Sequence, residues 1–467
     1  MINYSGTYTD QYQLTMAQTY FLKGQSEKSA VFDYFFRKLP FNGGYAVFAG
    51  LDTILDIIEN LHFNSEDLEF LEKQRYDSRF IKYLGEFKFR GTIYSSEEGD
   101  IVFPVRPILQ IEADIIEGQI IETILLNILN FQTLIATKAS RIRKVSEAKT
   151  LFEFGLRRSQ GPGGYYATRA SIIGGFDGTS NVKAGIDFNI PVAGTMAHSF
   201  IQSYDDELTA FRDFAQINPD NCILLVDTYN TLKSGVPNAI KVGLEMAKTG
   251  NVLRGIRLDS GDLAYLSKKS RQMLDEAGLR DVKITLSNQL DEYVIRSLLE
   301  QQAQVDAFGV GTSLSAGLPD AALDGVYKLS FFNGKPRIKL SENIAKITLP
   351  HRKQVYRLRT LNGSLSGADV IALKNEENIK EMHHPSDPGK SMIFNDFKLE
   401  ALMHKVMENG KRIYPSKKIS EIREYSLQRL EELPAEYKRF ENPHVYKIGI
   451  SEGLMEERDR LIDNHKI

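Results

Sequence analysis

The chain has 467 residues, 42% hydrophobic and 25% charged, with a formal net charge of −3. That is globular composition with material for two or three domains, and its near-neutral charge supplies no basic field for nucleic acid or an anionic membrane. A lone cysteine, Cys222, excludes an intrachain disulfide framework and a Cys-rich zinc site.

At the start, Met1-Ile2-Asn3-Tyr4-Ser5 lacks the basic-then-apolar pattern of a signal peptide. No run reaches the roughly 18 apolar residues that a membrane span needs, so the expectation is a cytoplasmic protein. Thr9 or Asp10 is placed to cap a helix carrying Leu14, Met16 and Ala17, with Tyr12 in its first turn. Residues 30–36 are aromatic and β-branched enough for a strand, and 37–44 form a loop. An amphipathic helix is predicted over 46–60, strands between about 86 and 116, and a long apolar helix over about 119–147.

The texture then changes. Short apolar runs at 151–154, 191–193, 223–226, 255–258, 282–286 and 306–310 alternate with helical stretches at 198–216, 235–249, 262–278 and 291–303. Such alternation implies right-handed βα units and a parallel sheet, and about six repeats favour a (β/α) barrel over an open sheet. Cys222 opens one of these runs, as a small core residue would. A strand over 326–332 followed by Asn333-Gly334 predicts a hairpin. The last hundred residues are more charged, with Pro-Ser-Asp-Pro near 385 and a helix at 419–432. The expected fold is therefore α/β: an N-terminal α+β domain (1–120), an irregular (β/α) barrel (121–350) and an appended C-terminal region (351–467).

In a (β/α) barrel, functional groups gather at the C-terminal ends of the strands. The polar motifs fall there: Gly155 to Gly161 with Arg157 and Arg158, Asp177 to Asn181, Asp227-Thr228-Tyr229-Asn230, Asp259-Ser260-Gly261-Asp262, Ser287-Asn288 and Gly311-Thr312-Ser313. Taken singly, each reads as a helix cap or a turn. Together with His198 on one rim they read as a site. Pro191 to Ser199 predicts a strand, a tight turn and a helix N-terminus bearing His198, where an anion is favoured and an imidazole can act as a base or phosphate acceptor. The alternative is a first-turn histidine bonded to a backbone carbonyl. Asp259 and Asp262 suit ribose hydroxyls or a magnesium ion through water, and small residues around Gly311 and Thr312 suit a phosphate.

Gly-Thr-Met-Ala-His-Ser (194–199), Phe-Gly-Leu-Arg-Arg (154–158), Arg-Leu-Asp-Ser-Gly-Asp (257–262) and Gly-Val-Gly-Thr-Ser (309–313) resemble the nicotinate phosphoribosyltransferase family. So do Tyr-Thr-Asp-Gln-Tyr-Gln (8–13), Pro-Phe-Asn-Gly-Gly-Tyr (40–45), Asn-Phe-Gln-Thr-Leu-Ile-Ala-Thr-Lys (130–138) and Gly-Gly-Phe-Asp-Gly-Thr-Ser-Asn (174–181). The resemblance runs from residue 8 to about 357 and is less distinctive beyond.

It implies conversion of nicotinate and phosphoribosyl pyrophosphate to nicotinate mononucleotide and pyrophosphate, coupled to ATP hydrolysis with Mg2+, in NAD biosynthesis. It also implies that ATP phosphorylates His198. Tyr12 would stack on the pyridine ring, often from the partner subunit of a homodimer with shared sites. Phe154, Thr195 and Arg257 would line the nicotinate pocket, and Gly311, Thr312 and Asp259 would hold the phosphoribosyl group. Two roles rest on the residues themselves: Arg157 as the cation for the nicotinate carboxylate, and Asp227 as the partner of the far ring nitrogen of His198, with a helix cap as Asp227's alternative. Nicotinamide-using relatives tend to carry an acid directly before the histidine; here that residue is Ala197. Other readings are a nicotinamide or quinolinate phosphoribosyltransferase, or a non-catalytic barrel that binds a phosphosugar.

Overall fold

The computed structural model describes residues 4–342, 346–387 and 389–464; Met1-Ile2-Asn3 and Pro388 lie outside them. The chain forms two compact units, Met1–Thr137 with Ala322–Ile467, and Lys138–Ala321. None of the described helices is long and apolar enough to cross a membrane.

The first unit is built on a seven-stranded antiparallel sheet. Its spatial order is Lys335–Pro336, Gly325–Phe332, Ser29–Phe36, Leu109–Asp114, Thr92–Ser95, His404–Glu408, Lys411–Arg412. In the central register Phe32 faces Ile111 on one side and Leu329 on the other. The predicted hairpin is present: Asn333 and Gly334 both take positive φ, 46° and 78°, as a tight two-residue turn requires. Strands from the last hundred residues thus extend the N-terminal sheet. The remaining C-terminal strands make a second, six-stranded sheet in which Leu365–Leu373 pairs parallel with Lys447–Ile450 and antiparallel with Lys353–Thr360.

Two predicted helices are divided. The stretch 46–60 is a two-residue strand, Ala46–Val47, then a helix from Leu51 to Asn60, because Gly50 at φ 105° breaks helical geometry before it can start. The stretch 198–216 is a five-residue helix, His198–Gln202, and a second helix, Glu207–Ile217, which restarts where the Asp206 carboxylate accepts from Thr209 N–H at 2.9 Å. Helices Ser65–Lys73 and Ser78–Gly85 were not anticipated, although Asn64 and Asp67 form a reciprocal capping box at the first of them.

The second unit holds six parallel strands in the order Gly178–Thr179, Thr150–Glu153, Ala307–Val310, Lys283–Ser287, Gly255–Leu258, Ile223–Leu225. Helices follow the strands as the alternation predicts, among them Val236–Lys248, Leu263–Glu276 and Glu292–Glu300. Five of the six predicted strands are present. The sixth, at 191–193, is only a bridge between Val192 and Thr179, and Gly178–Thr179 takes the strand position instead. Pro191 has no N–H to give a ladder, so the pairing stops after Pro191 accepts from Thr179 and Ala193 donates back to it. Because all six strands run parallel, their C-terminal ends share one edge. Cys222 is buried as expected, and burial pushes its thiol up to about 11.

Candidate active site

The strand ends bring most of the predicted residues into one cluster on the second unit. Arg257, on Gly255–Leu258, is its hub. Its guanidinium donates to Asp259 Oδ1 (2.9 Å), Ser287 Oγ (2.9 Å) and Thr195 Oγ1 (3.3 Å), and lies 5.8 Å from the centre of the Phe154 ring. The Ser287 hydroxyl also donates to Asp259 Oδ1. Burial works against ionisation of Asp259, but the Ser287 and Arg257 bonds, with the charge of Arg257 and of His198, hold its carboxyl below the usual range.

His198 is the first residue of its short helix, and 40% of its side chain is exposed. Asp259 Oδ2 lies 3.8 Å from its Nε2. Nδ1 lies 3.0 Å from Thr228 Oγ1. The expectation for Asp227 therefore needs correction: Thr228, the next residue, holds the ring. Adjacent residues leaving a strand point to opposite sides, and Asp227 turns to the neighbouring loop. There its Oδ2 accepts from Asp259 N–H and Ser260 Oγ–H, both at 2.7 Å. Its Oδ1 is shut from solvent and has no hydrogen-bond partner among the described residues. The predicted helix-end anion site beside His198 is also weakened, since five residues build little macrodipole.

Behind the cluster sits a residue that the sequence reading missed. Glu153 is fully buried and accepts from Thr179 Oγ1 (2.6 Å), Thr168 Oγ1 (2.8 Å) and Gly155 N–H. Burial raises its pKa against those bonds. Its signal was a carboxylate inside the apolar run Leu151-Phe152-Glu153-Phe154, where only a satisfied charge survives. Glu153 fixes the turn that presents Phe154. Gly309 makes room for that ring: a Cβ there would sit 2.3 Å from it.

The remaining predicted residues are placed as follows. Arg157 and Arg158 are exposed in the short helix Leu156–Arg158 and make no ion pair among the described residues. Gly311 and Thr312 begin the helical turn Thr312–Ser315, with Thr312 exposed. Asp262 is a helix cap, accepting from Tyr265 N–H at 3.0 Å. Tyr12 belongs to the first unit, in the opening turn of Gln11–Leu22, with 51% of its surface exposed. That unit also carries a cleft lined by five cationic side chains, Arg37, Lys38, Lys328, Lys346 and Lys353, together with the carboxylates of Asp33 and Asp324. The described residues contain no cluster of three or more His, Cys, Asp or Glu arranged to hold a metal on their own.

Chemically, the cluster offers an accessible imidazole, a carboxylate held ionised, an arginine over an aromatic face and a glycine-threonine loop. That set can accept a group on nitrogen and stabilise positive charge beside it.

The comparisons with known proteins agree along the whole chain. Residues 7–130 match the nicotinate phosphoribosyltransferase N-terminal domain, 150–386 the nicotinate phosphoribosyltransferase family and 352–458 its C-terminal domain. Nicotinate phosphoribosyltransferase of Bacillus subtilis is 46% identical over 98% of this chain and 95% of its own. The Dictyostelium discoideum protein of that name is 37% identical over 97% and 87%. Among solved structures, human nicotinic acid phosphoribosyltransferase superposes with a TM-score of 0.87 at 29% identity, covering 97% of this chain and 99% of that one. Nicotinate-nucleotide pyrophosphorylase from Pyrococcus furiosus gives 0.72 at 27% identity, covering 91% and 95%. The chain belongs to the nicotinate phosphoribosyltransferase family.

Proposed function

We propose that the protein is an ATP-coupled nicotinate phosphoribosyltransferase that makes nicotinate mononucleotide and pyrophosphate for NAD biosynthesis through a phosphorylated His198. Family membership supports the activity. The observation that carries the mechanism is the exposed imidazole of His198, steadied on Nδ1 by Thr228 and facing Asp259 with Nε2.

In this reading the imidazole accepts the γ-phosphoryl group of ATP, and the added negative charge couples ATP cleavage to the binding of substrates. Displacement at the anomeric carbon builds positive charge on the ribose, which the ionised Asp259 stabilises. Thr195, Arg257 and the face of Phe154 line the pyridine pocket, and exposed Arg157 is free to meet the nicotinate carboxylate with two parallel hydrogen bonds. Ala197 before His198 fits the acid rather than the amide. Gly311 and Thr312 take the phosphoribosyl group. In a homodimer with shared sites, Tyr12 would stack on the pyridine and the cation-lined cleft around Arg37 and Lys328 would draw in anionic substrate. The parallel sheet is read as most of an irregular (β/α) barrel, and the protein as cytoplasmic.

Magnesium fits the donor set: Asp227 Oδ1 has no hydrogen-bond partner among the described residues, and the Asp227 and Asp259 carboxylates are linked through Asp259 N–H, which donates to Asp227 Oδ2 at 2.7 Å. Mg2+ is commonly bound by one or two carboxylates together with substrate phosphates. These two carboxylates would hold it, and when bound it neutralises the departing pyrophosphate.

The test is product formation from nicotinate and phosphoribosyl pyrophosphate with and without ATP. The expected result is nicotinate mononucleotide in both, with a lower KM for nicotinate when ATP is present. Saturation by nicotinamide at lower concentration than nicotinate would overturn the substrate assignment.

A further inference from the structure

Arg257 and Asp259 are held by a third residue, from the next strand. In the parallel pairing Thr285 lies beside Arg257 and Leu286 beside Leu258, so Ser287 comes level with Asp259. Alternate residues of a strand share a face, which puts Arg257, Asp259, Thr285 and Ser287 on one side of the sheet. Ser287 is 2% exposed, and its hydroxyl stands inside the pair: it accepts from Arg257 Nε at 2.9 Å and donates to Asp259 Oδ1. We propose that Ser287 is a positioning residue that keeps Arg257 from closing on both oxygens of Asp259, so that Oδ2 stays open toward the substrate, an inference that rests on the catalytic role given to Asp259 above.

A guanidinium beside a carboxylate readily bonds both oxygens through two parallel N–H groups. The edge of Arg257 that faces Asp259 is Nε with Nη2. Nη2 donates to Asp259 Oδ1 at 2.9 Å, but the place of the second oxygen is taken by the Ser287 hydroxyl. Nη1 is engaged as well, donating to Thr195 Oγ1 at 3.3 Å. Oδ1 therefore receives both bonds, from Arg257 and from Ser287, and Oδ2 accepts none among the described residues. The charged group facing Oδ2 is His198, with Nε2 at 3.8 Å. One hydroxyl can accept from a cation and donate to an anion while adding no charge of its own. Without it, Nε would lose its acceptor, an unmade bond that is costly away from water. Rotation of the Asp259 carboxylate would supply Oδ2 in its place, and the closed fork would withdraw that oxygen from the site.

Ser287→Ala removes the hydroxyl, and Ser287→Thr keeps it. In a crystal structure of full-length Ser287→Ala, Arg257 should bond both oxygens of Asp259, with Nε on Oδ2. Turnover of nicotinate and phosphoribosyl pyrophosphate should fall by about 10²-fold, the scale of misplacing a group by about 1 Å. Both kcat and kcat/KM should fall together, as they do when a contact made in the transition state is lost. Ser287→Thr should recover most of the lost turnover. An Arg257–Asp259 pair that stays on one oxygen in Ser287→Ala, or native turnover in that variant, would overturn the proposal.

The pH profile separates aim from ionisation. The forked carboxylate is still ionised beside Arg257, so the loss in Ser287→Ala should persist from about pH 6 to about pH 9. Recovery of native turnover at the alkaline end would assign the hydroxyl to ionisation alone and refute its positioning role. In the Asp259→Asn background, Ser287→Ala should cost less than about threefold, because no carboxylate is left to aim. The full loss in that background would show a merely structural role and would refute the proposal too. Native protein that forms no nicotinate mononucleotide, or Asp259→Asn with native turnover, would instead remove the reading of the site. The crystal structure of Ser287→Ala would still decide whether Ser287 holds the fork open.

Discussion

The protein uses arginine and aspartate twice, in opposite ways. In the first unit, Asp100 and Asp369 are gripped by Arg106, Arg357 and Arg429; these five side chains are 0–5% exposed. Tyr446 adds a hydroxyl bond to Asp369 at 2.7 Å. In the second unit, Arg257 and Asp259 pair at 2.9 Å with 16% and 26% of their side chains exposed, beside a more open histidine. The lesson is that burial, more than residue type, separates scaffold from site. A buried knot must answer each charge with another, since an unpaired charge in that setting is costly. A working cluster stays partly open, here at His198 and Asp259, whose side chains are 40% and 26% exposed.

The same substitution made in both places should separate them most. Arg357→Met leaves Asp100 and Asp369 short of a buried partner, and denaturant unfolding should show a loss of about 3–5 kcal/mol. Arg257→Met should cost roughly 1 kcal/mol or less, because water can reach Asp259. In turnover the order reverses. Arg257→Met should lower kcat/KM by about 10²–10³-fold, the scale of losing one aligned donor in a catalytic site, while a folded Arg357 variant keeps its rate per active molecule. Equal stability losses at the two arginines would break the comparison.

Acid sharpens it. Burial alone would raise the Asp100 carboxyl, but Arg357, Arg429 and Arg106 outweigh it and hold it at about 2. A folded-state pKa below the unfolded one stabilises the protein above about pH 4, and that contribution is lost as pH falls toward 2. Unfolding midpoints should therefore drop between pH 4 and pH 2 by the equivalent of roughly 2 kcal/mol, and Arg357→Met should flatten the drop. An effect of similar size is expected from Gly309→Ala. Its methyl would meet the Phe154 ring at 2.3 Å, so overpacking should cost about 1–3 kcal/mol and raise the KM for the pyridine substrate.

What the sequence disclosed followed from local physics. Parallel strands buried on both faces read as apolar runs, so 223–226 and 255–258 were legible, and the residues at their ends marked the site edge. Long-range pairing was not legible: nothing near His404 signals that it will face Ser95 in another part of the chain. Nor can a sequence tell which of two neighbouring polar residues turns toward a ring, which is why Asp227 stood where Thr228 belongs. A single glycine at 50 and a single cap at Asp206 decided where helices start, and each was hidden inside a longer helical pattern.

The central claim is that His198 carries a phosphoryl group. Incubation of the native protein with γ-32P-labelled ATP, followed by proteolysis and peptide mapping, tests it most directly. Acid-labile label on the peptide containing His198, absent in His198→Ala, is the predicted result. Label that persists in that variant, or none in native protein that still hydrolyses ATP, would contradict it.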